Sequence, residues 1–178
     1  MLIERVQPLL AVAMLALSGA TVAADRAGPR VSTTSGIVEG DRKADRTIFR
    51  GIPFAAPPLG ALRWQPPQPI RWAGVRPAAD PAPACLQGNH GWNRAAYVFA
   101  SEDCLTLDIE TPTTTGRHAV LVWIHGGSNH AGSPIDTFMT SMVGEGIVVV
   151  GVRYRLGVLG FLAPRGSGAT GGNYGLMD

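Results

Sequence analysis

The chain has 178 residues, of which 46% are hydrophobic, so it is long and apolar enough to bury the core of one ordinary domain. This composition excludes a largely disordered chain. The formal net charge of +2 arises from 15 Lys and Arg against 13 Asp and Glu, spread along the chain without a basic run. The electrostatic footprint of a nucleic-acid-binding protein is therefore missing, and we expect no nucleic-acid partner.

The first 24 residues have the pattern of an export signal. Arg5 lies near the start, an apolar core runs from Leu9 to Leu17, and small residues lead up to Ala24. This core is much shorter than the roughly 20 residues of a membrane-spanning helix, which argues against an anchor. We therefore expect cleavage after Ala24, secretion or export to a periplasm, and no membrane span in the mature portion, residues 25–178.

Two cysteines, Cys85 and Cys104, fall in the mature portion. An even count in an exported chain favours a disulfide, and two buried free thiols are the alternative. A metal site would need further ligands at close spacing. The pair His125 and His130 lies in a glycine-rich loop with only Asp136 as a neighbouring acid, so the sequence predicts no metal site.

The mature portion begins with a pattern typical of short antiparallel strands. Residues 36–40 and 47–50 have β-branched and aromatic side chains, and a charged turn at 41–46 separates them. From Gly51 to Pro83 the prolines are dense, so we expect this segment to run extended across a surface. Trp64 and Trp72 are expected to hold it there.

The second half of the chain predicts a parallel βαβ unit. After a loop from Cys85 to Ser101, residues 104–110 alternate apolar and polar, as a half-exposed strand does. Continuous apolar runs at 120–124 and 146–154 predict strands buried on both faces, and the segment 136–144 between them has helical spacing. Parallel strands need cover on both faces, so a helix-flanked α/β sheet follows.

The sequence predicts no terminal helix that would cover the last strand before it stops at Asp178. A helix-flanked sheet that ends there exposes one face and one strand edge, which natural domains avoid. We therefore expect an N-terminal piece of a longer protein.

A glycine turn follows the apolar run at 120–124, with the sequence His125-Gly126-Gly127-Ser128. Two glycines let the backbone turn sharply and leave amide N–H groups uncovered by side chains. Such N–H groups can hold a developing oxyanion. The alternative is a tight strand-to-loop turn with no chemistry.

Several blocks of sequence, in this order, resemble the type B carboxylesterase family, which includes cholinesterases, para-nitrobenzyl esterases and the non-catalytic neuroligins. The resemblance covers nearly all of the mature portion. The matching blocks are Phe49–Gly60, Arg63-Trp64, Ser101–Leu105, Trp123–Gly127, Tyr154–Gly157, Gly160–Leu162 and Gly172–Asp178.

The resemblance implies an α/β-hydrolase fold in which a serine attacks the carbonyl of a small-molecule carboxylic ester, with no cofactor. Residues 25–178 would be the N-terminal portion of that domain, an antiparallel start followed by a parallel βαβ sheet, here incomplete. The family's oxyanion donors fall on the N–H groups of Gly127 and Ser128, supported by His125 and Gly126. Many members have a third glycine where this chain has Ser128.

The resemblance also implies three structural pairings. It places a disulfide between Cys85 and Cys104. It pairs Arg63 with Glu102 and Arg155 with Asp178 as ion pairs.

The family's nucleophile occurs in a Gly-x-Ser-x-Gly turn, which is absent from these 178 residues. The catalytic acid and histidine lie downstream in the family, so the triad is not present in this chain. The leading hypothesis is a serine carboxylesterase to which this chain contributes the oxyanion loop, although the chain alone would be inactive. The alternatives are a neuroligin-like binding protein and an inactive truncated gene product.

Overall fold

The computed structural model of the chain describes residues 28–134, 136–162 and 171–178. The predicted export signal, residues 1–24, lies outside the described residues. Eight strands are described: β1 (Arg30–Ser32), β2 (Ile37–Glu39), β3 (Asp41–Arg42), β4 (Thr47–Pro53), β5 (Val75–Pro77), β6 (Thr106–Thr111), β7 (Val120–Ile124) and β8 (Val148–Val152). The helices are a 3₁₀ turn (Gly60–Leu62), α1 (Arg94–Val98), α2 (Asp136–Val143), α3 (Gly157–Phe161) and α4 (Tyr174–Met177).

The antiparallel start is present, but the two predicted strands do not pair with each other. β2 pairs antiparallel with β1 and parallel with β5 in a three-stranded sheet. β4 pairs antiparallel with β3, which occupies part of the predicted charged turn. The two predicted strands therefore belong to different sheets, because local sequence specifies a turn but not which distant strand completes the pairing.

The proline-rich segment 54–83 is irregular apart from the 3₁₀ turn and β5. Its two tryptophans attach it to the rest of the molecule. The indole N–H of Trp72 donates to the Ile37 carbonyl at 2.9 Å, and that of Trp64 donates to the Val158 carbonyl at 3.0 Å.

The main sheet has five strands in the order β3-β4-β6-β8-β7. β7 and β8 are parallel, with Val120 opposite Val148 and Ile124 opposite Val152, and α2 connects them. The predicted βαβ unit is confirmed. Met139 and Val143 of α2 pack with Val149 of β8 in a buried cluster, so the helix covers one face of the parallel pair.

β6 alternates as predicted, but its polar side chains are the more deeply buried ones. Asp108 and Glu110 are buried, whereas Leu107 and Ile109 are half-buried. Asp108 lies against Arg153, and Glu110 lies against Arg46 with Nε and Oε2 3.0 Å apart. The expectation of a half-exposed strand is wrong, because charged partners on neighbouring segments allow the polar face to be buried.

β7 is not buried on both faces among the described residues. Val120, Val122 and Ile124 are 61%, 57% and 68% exposed, and only Leu121 and Trp123 are half-buried. The strand lies at the edge of the sheet, and no described element covers its second face. No helix among the described residues has the length and hydropathy needed to cross a membrane.

Candidate active site

The glycine turn at the end of β7 folds into a closed loop, residues 125–132. The carbonyl of Gly127 accepts hydrogen bonds from the N–H groups of His130 and Ala131, at 3.0 and 3.2 Å. Gly127 has φ +127°, and a Cβ there would lie 1.8 Å from the Ala131 carbonyl oxygen, so only glycine fits. Ser128 and Asn129 continue the turn in the left-handed region, with φ 54° and 61°.

The backbone donors at the start of this loop have no acceptor. Within the described ranges, the N–H groups of Gly126, Gly127 and Ser128 donate no hydrogen bond. A Cβ on Gly126 would meet no atom within 4 Å, so open space adjoins the turn. The structure thus brings the two predicted donor residues together in a loop whose N–H groups are available to a ligand.

His125 supports the turn from beneath. Its ring stacks on Tyr154, with centroids 4.5 Å apart, and the Tyr154 hydroxyl donates to the His125 carbonyl at 2.6 Å. Its Nδ1 lies 3.0 Å from the Gly126 carbonyl oxygen. Burial lowers the pKa of His125 below its ordinary value, and the positive charge of Arg153 lowers it further, against the opposing effect of the Gly126 carbonyl. A neutral imidazole held in this way is suited to positioning rather than to proton transfer.

The side chain of Ser128 is exposed and makes no hydrogen bond to a histidine within the described part of the chain. It therefore lacks the base that a serine nucleophile needs. Nor do the described residues contain a cluster of three or more His, Cys, Asp or Glu that could hold a metal ion.

The side chains of Gln87 and Asn93, which the sequence analysis did not single out, lie at the far end of the loop. The Gln87 side chain accepts from the N–H of Gly132 at 2.8 Å and donates to its carbonyl at 2.9 Å. Asn93 donates to the Gln87 side chain at 2.9 Å. The only sequence signal was the position of Gln87, two residues after Cys85.

The structure joins Cys85 and Cys104 by a disulfide, with Cα atoms 5.0 Å apart. Both residues are buried in a cluster with Leu105 and Leu156. The bridge closes the segment 85–104, which contains α1.

Arg63 and Glu102 form a two-pronged ion pair, with Arg63 Nη2 2.6 Å from Glu102 Oε2. The hydrogen bond to Glu102 raises the pKa of Arg63. Arg155 and Asp178 form a second, fully buried pair, in which Nε and Nη2 of Arg155 donate at 2.8 and 2.6 Å. Both pairs join segments that are distant in the chain, 39 and 23 residues apart.

An open, largely apolar groove lies beside the loop. His125 and Gly126 line one end of it, and Trp92, Phe99 and Trp123 contribute aromatic surface. Trp92 and Phe99 are 68% and 75% exposed. The start of the glycine turn, at His125 and Gly126, therefore adjoins a surface suited to an apolar group.

A family model described as the carboxylesterase family matches residues 27–178. Fumonisin B1 esterase from Sphingopyxis macrogoltabida is 40% identical over 177 residues, covering 93% of this chain and 33% of that protein. Neuroligin-2 from Mus musculus is 36% identical over 198 residues, covering 84% of this chain and 23% of that protein. A solved PNB esterase superposes with a TM-score of 0.75 at 31% identity, covering 83% and 32%. The predicted fold class, part of an α/β-hydrolase, is confirmed, and the chain spans a third or less of the length of these relatives.

Proposed function

Because the chain belongs to the carboxylesterase family, we propose that it supplies the oxyanion loop of a serine carboxylesterase. The N–H groups of Gly127 and Ser128 would bind the carbonyl oxygen of an ester as negative charge develops on it. One observation carries this assignment: both N–H groups lack an acceptor among residues 28–134, 136–162 and 171–178, in a turn closed by its own backbone hydrogen bonds.

The loop that carries these donors is held in place before any substrate binds. A loop that already points its donors at the reacting oxygen needs no rearrangement when the tetrahedral intermediate forms. The backbone bonds from His130 and Ala131 to Gly127, together with the His125–Tyr154 stack, hold the loop in one shape. The donors are backbone groups, so the serine at position 128 keeps the N–H that a glycine would supply.

The remaining chemistry requires residues outside this sequence. A serine in a Gly-x-Ser-x-Gly turn would attack the carbonyl, a histidine would take its proton, and the alcohol would leave with that proton. Water would then release the acid from the acyl-enzyme by the same route. The substrate is a carboxylic ester, and the apolar groove lined by Trp92, Phe99 and Trp123 favours an apolar substituent on it.

Export of the protein is part of the proposal. Residues 1–24 would be removed as a signal, and the mature chain would then work in an oxidising compartment. A disulfide between Cys85 and Cys104 is stable under such conditions, which supports this placement.

The test uses the full-length protein, meaning the complete product of the reading frame that contains these residues. Gly127→Pro removes one N–H and cannot adopt the observed φ of +127°. Losing one oxyanion donor typically lowers kcat by about 10²–10³-fold. Ser128→Ala keeps the N–H and is expected to have a mild effect on kcat, since the proposed donor is the backbone and not the side chain. The measurement is hydrolysis of para-nitrophenyl butyrate, with circular dichroism to verify folding.

Two outcomes would contradict the proposal. Equal, small effects of both substitutions in folded protein would mean that the oxyanion is bound elsewhere. No hydrolysis by the unaltered full-length protein would favour the alternative class, a binding protein with the same fold, for which the likeness to neuroligin-2 is the supporting observation.

A further inference from the structure

Gln87 binds one residue of the oxyanion loop through both of that residue's backbone polar groups. Its Oε1 accepts from the Gly132 N–H at 2.8 Å and its Nε2 donates to the Gly132 carbonyl at 2.9 Å. A primary amide used in this way replaces the partner that a neighbouring strand would provide. Gly132 is therefore fixed in position by a residue 45 positions earlier in the chain.

Gly132, in turn, packs against the beginning of the turn. Its φ is +129°, and a Cβ there would lie 2.4 Å from His125 Nδ1 and 2.5 Å from the Gly126 carbonyl oxygen. That carbonyl belongs to the same planar peptide unit as the N–H of Gly127. A shift of Gly132 toward Gly126 would press on the peptide plane that aims the Gly127 N–H, and a shift away would remove the packing that supports that plane.

The Gln87 side chain is itself held by the disulfide-closed segment 85–104. Its Nε2 also donates to the Cys85 carbonyl at 3.0 Å, and Asn93, which is 5% exposed, donates to its Oε1 at 2.9 Å. The base of the segment is closed by the disulfide and by backbone bonds on either side of it, from Ser101 to Ala84 at 2.9 Å and from Leu86 to Ser101 at 3.1 Å.

We propose that Gln87 is a positioning residue for the oxyanion loop, and that the Cys85–Cys104 disulfide sets the loop's geometry through it. The proposal rests on the assignment of Gly127 as an oxyanion donor. It depends on a series of direct contacts. The series runs from the disulfide through the Cys85 carbonyl and the Gln87 amide to the Gly132 peptide, and from there to the Gly126–Gly127 peptide. Loss of any member lets the Gly127 N–H turn away from the reacting oxygen.

The expected kinetic signature is specific. Donors that act on the developing oxyanion stabilise the transition state and not the bound ester, so misaligning them lowers kcat and leaves KM nearly unchanged. A misplacement of about 1 Å is enough for a loss of up to about 100-fold. If Gln87 only stabilised the segment 85–104, its replacement would lower the melting temperature and leave kcat unchanged.

The experiment compares Gln87→Met with Gln87→Glu in the full-length protein. Methionine has a similar length and loses both bonds to Gly132, whereas glutamate retains an acceptor for the Gly132 N–H and loses the donor. Gln68→Glu is the matched control, because Gln68 donates only to the nearby Pro66 carbonyl at an exposed position. We expect kcat for para-nitrophenyl butyrate to fall about 10- to 100-fold with KM within about twofold, with no change in the control.

Hydrogen exchange supplies a readout that does not depend on activity. Peptides covering residues 125–134 are expected to exchange faster in both Gln87 variants and in protein reduced with a phosphine, but not in Gln68→Glu. Reduction is expected to lower kcat of the unaltered protein and to add little in Gln87→Met, because both act through one contact chain. If Gln87→Met fails to fold, Gln87→Glu and the reduction experiment decide.

Unchanged exchange at 125–134 in a folded Gln87 variant overturns the proposal, as does a fully additive effect of reduction. Absence of esterase activity in the unaltered protein is a different result. It would refute the proposed function, and the exchange data alone would then decide whether Gln87 holds the loop.

Discussion

His125 is a buried residue that supports the glycine turn. Its ring stacks on Tyr154, and its carbonyl and that of Gly126 are both occupied by neighbouring polar groups. Placing a positive charge in this position is unfavourable, since burial and the nearby Arg153 both oppose it. His125 therefore makes the free energy of unfolding depend on pH.

The pKa of His125 is lowered in the folded protein, so the unfolded chain binds more protons than the folded one below about pH 6.5. The free energy of unfolding is therefore expected to fall as the pH is lowered from about 6.5 toward the folded pKa. His125→Gln removes this contribution, and urea unfolding at pH 5 and pH 8 measures it. His90→Gln, at an exposed imidazole, is the control. A stability difference between the two pH values that is identical in His125→Gln and unaltered protein would contradict the prediction.

β6 shows at the element scale why hydrophobic alternation misled the prediction of exposure. Asp108 lies on its buried face and accepts two bonds from Arg153, at 2.8 and 2.6 Å. It also accepts from the N–H of Gly51, at the irregularity where β4 shifts register. The pair therefore joins β6, β4 and the end of β8.

Asp108→Ala leaves the Arg153 charge buried without its partner, and breaking a buried pair in this way costs about 3–5 kcal/mol. The double variant Asp108→Leu with Arg153→Met removes both charges and is expected to recover most of that loss. Chemical denaturation measures all three proteins. Asp45→Ala is the control, because Asp45 pairs with Arg46 at a 71% exposed side chain and its loss is expected to cost less than about 1 kcal/mol. A double variant no more stable than Asp108→Ala would show that the charges are not coupled.

For the molecule as a whole, the most consequential surface is that of β7, because this strand presents an apolar face and a free edge among the described residues. Val120, Val122 and Ile124 all point to that open face. An exposed hydrophobic edge strand is a template for pairing with another chain. The behaviour of residues 25–178 in isolation follows from this surface.

Purified residues 25–178 are expected to self-associate, to bind a hydrophobic dye and to show no ester hydrolysis above a buffer control. The Gly-x-Ser-x-Gly turn that would carry an attacking serine does not occur in these residues, so oxyanion donors alone would have no nucleophile to assist. Val122→Lys is expected to reduce self-association in size-exclusion chromatography. Val158→Lys is the control, because Val158 is similarly exposed at 66% but lies on α3. Saturable turnover lost in a Ser128→Ala copy would instead mean that Ser128 is a nucleophile.

Elements with strong local patterns, and positions with special backbone requirements, could be predicted from the amino-acid sequence. The apolar runs at β7 and β8 and the helix between them were predictable, because a short parallel unit follows from hydrophobic periodicity. The turn at Gly126 and Gly127 was predictable from its glycines.

The burial of polar residues and the contacts that hold the loop could not be predicted in this way, because they depend on how distant segments pack. The parallel pairing of β2 with β5 and the burial of Asp108 against Arg153 depend on partners far along the chain. The hold of Gln87 on Gly132 spans 45 positions. Such contacts arise from side chains meeting in three dimensions, and a local pattern contains no information about that meeting.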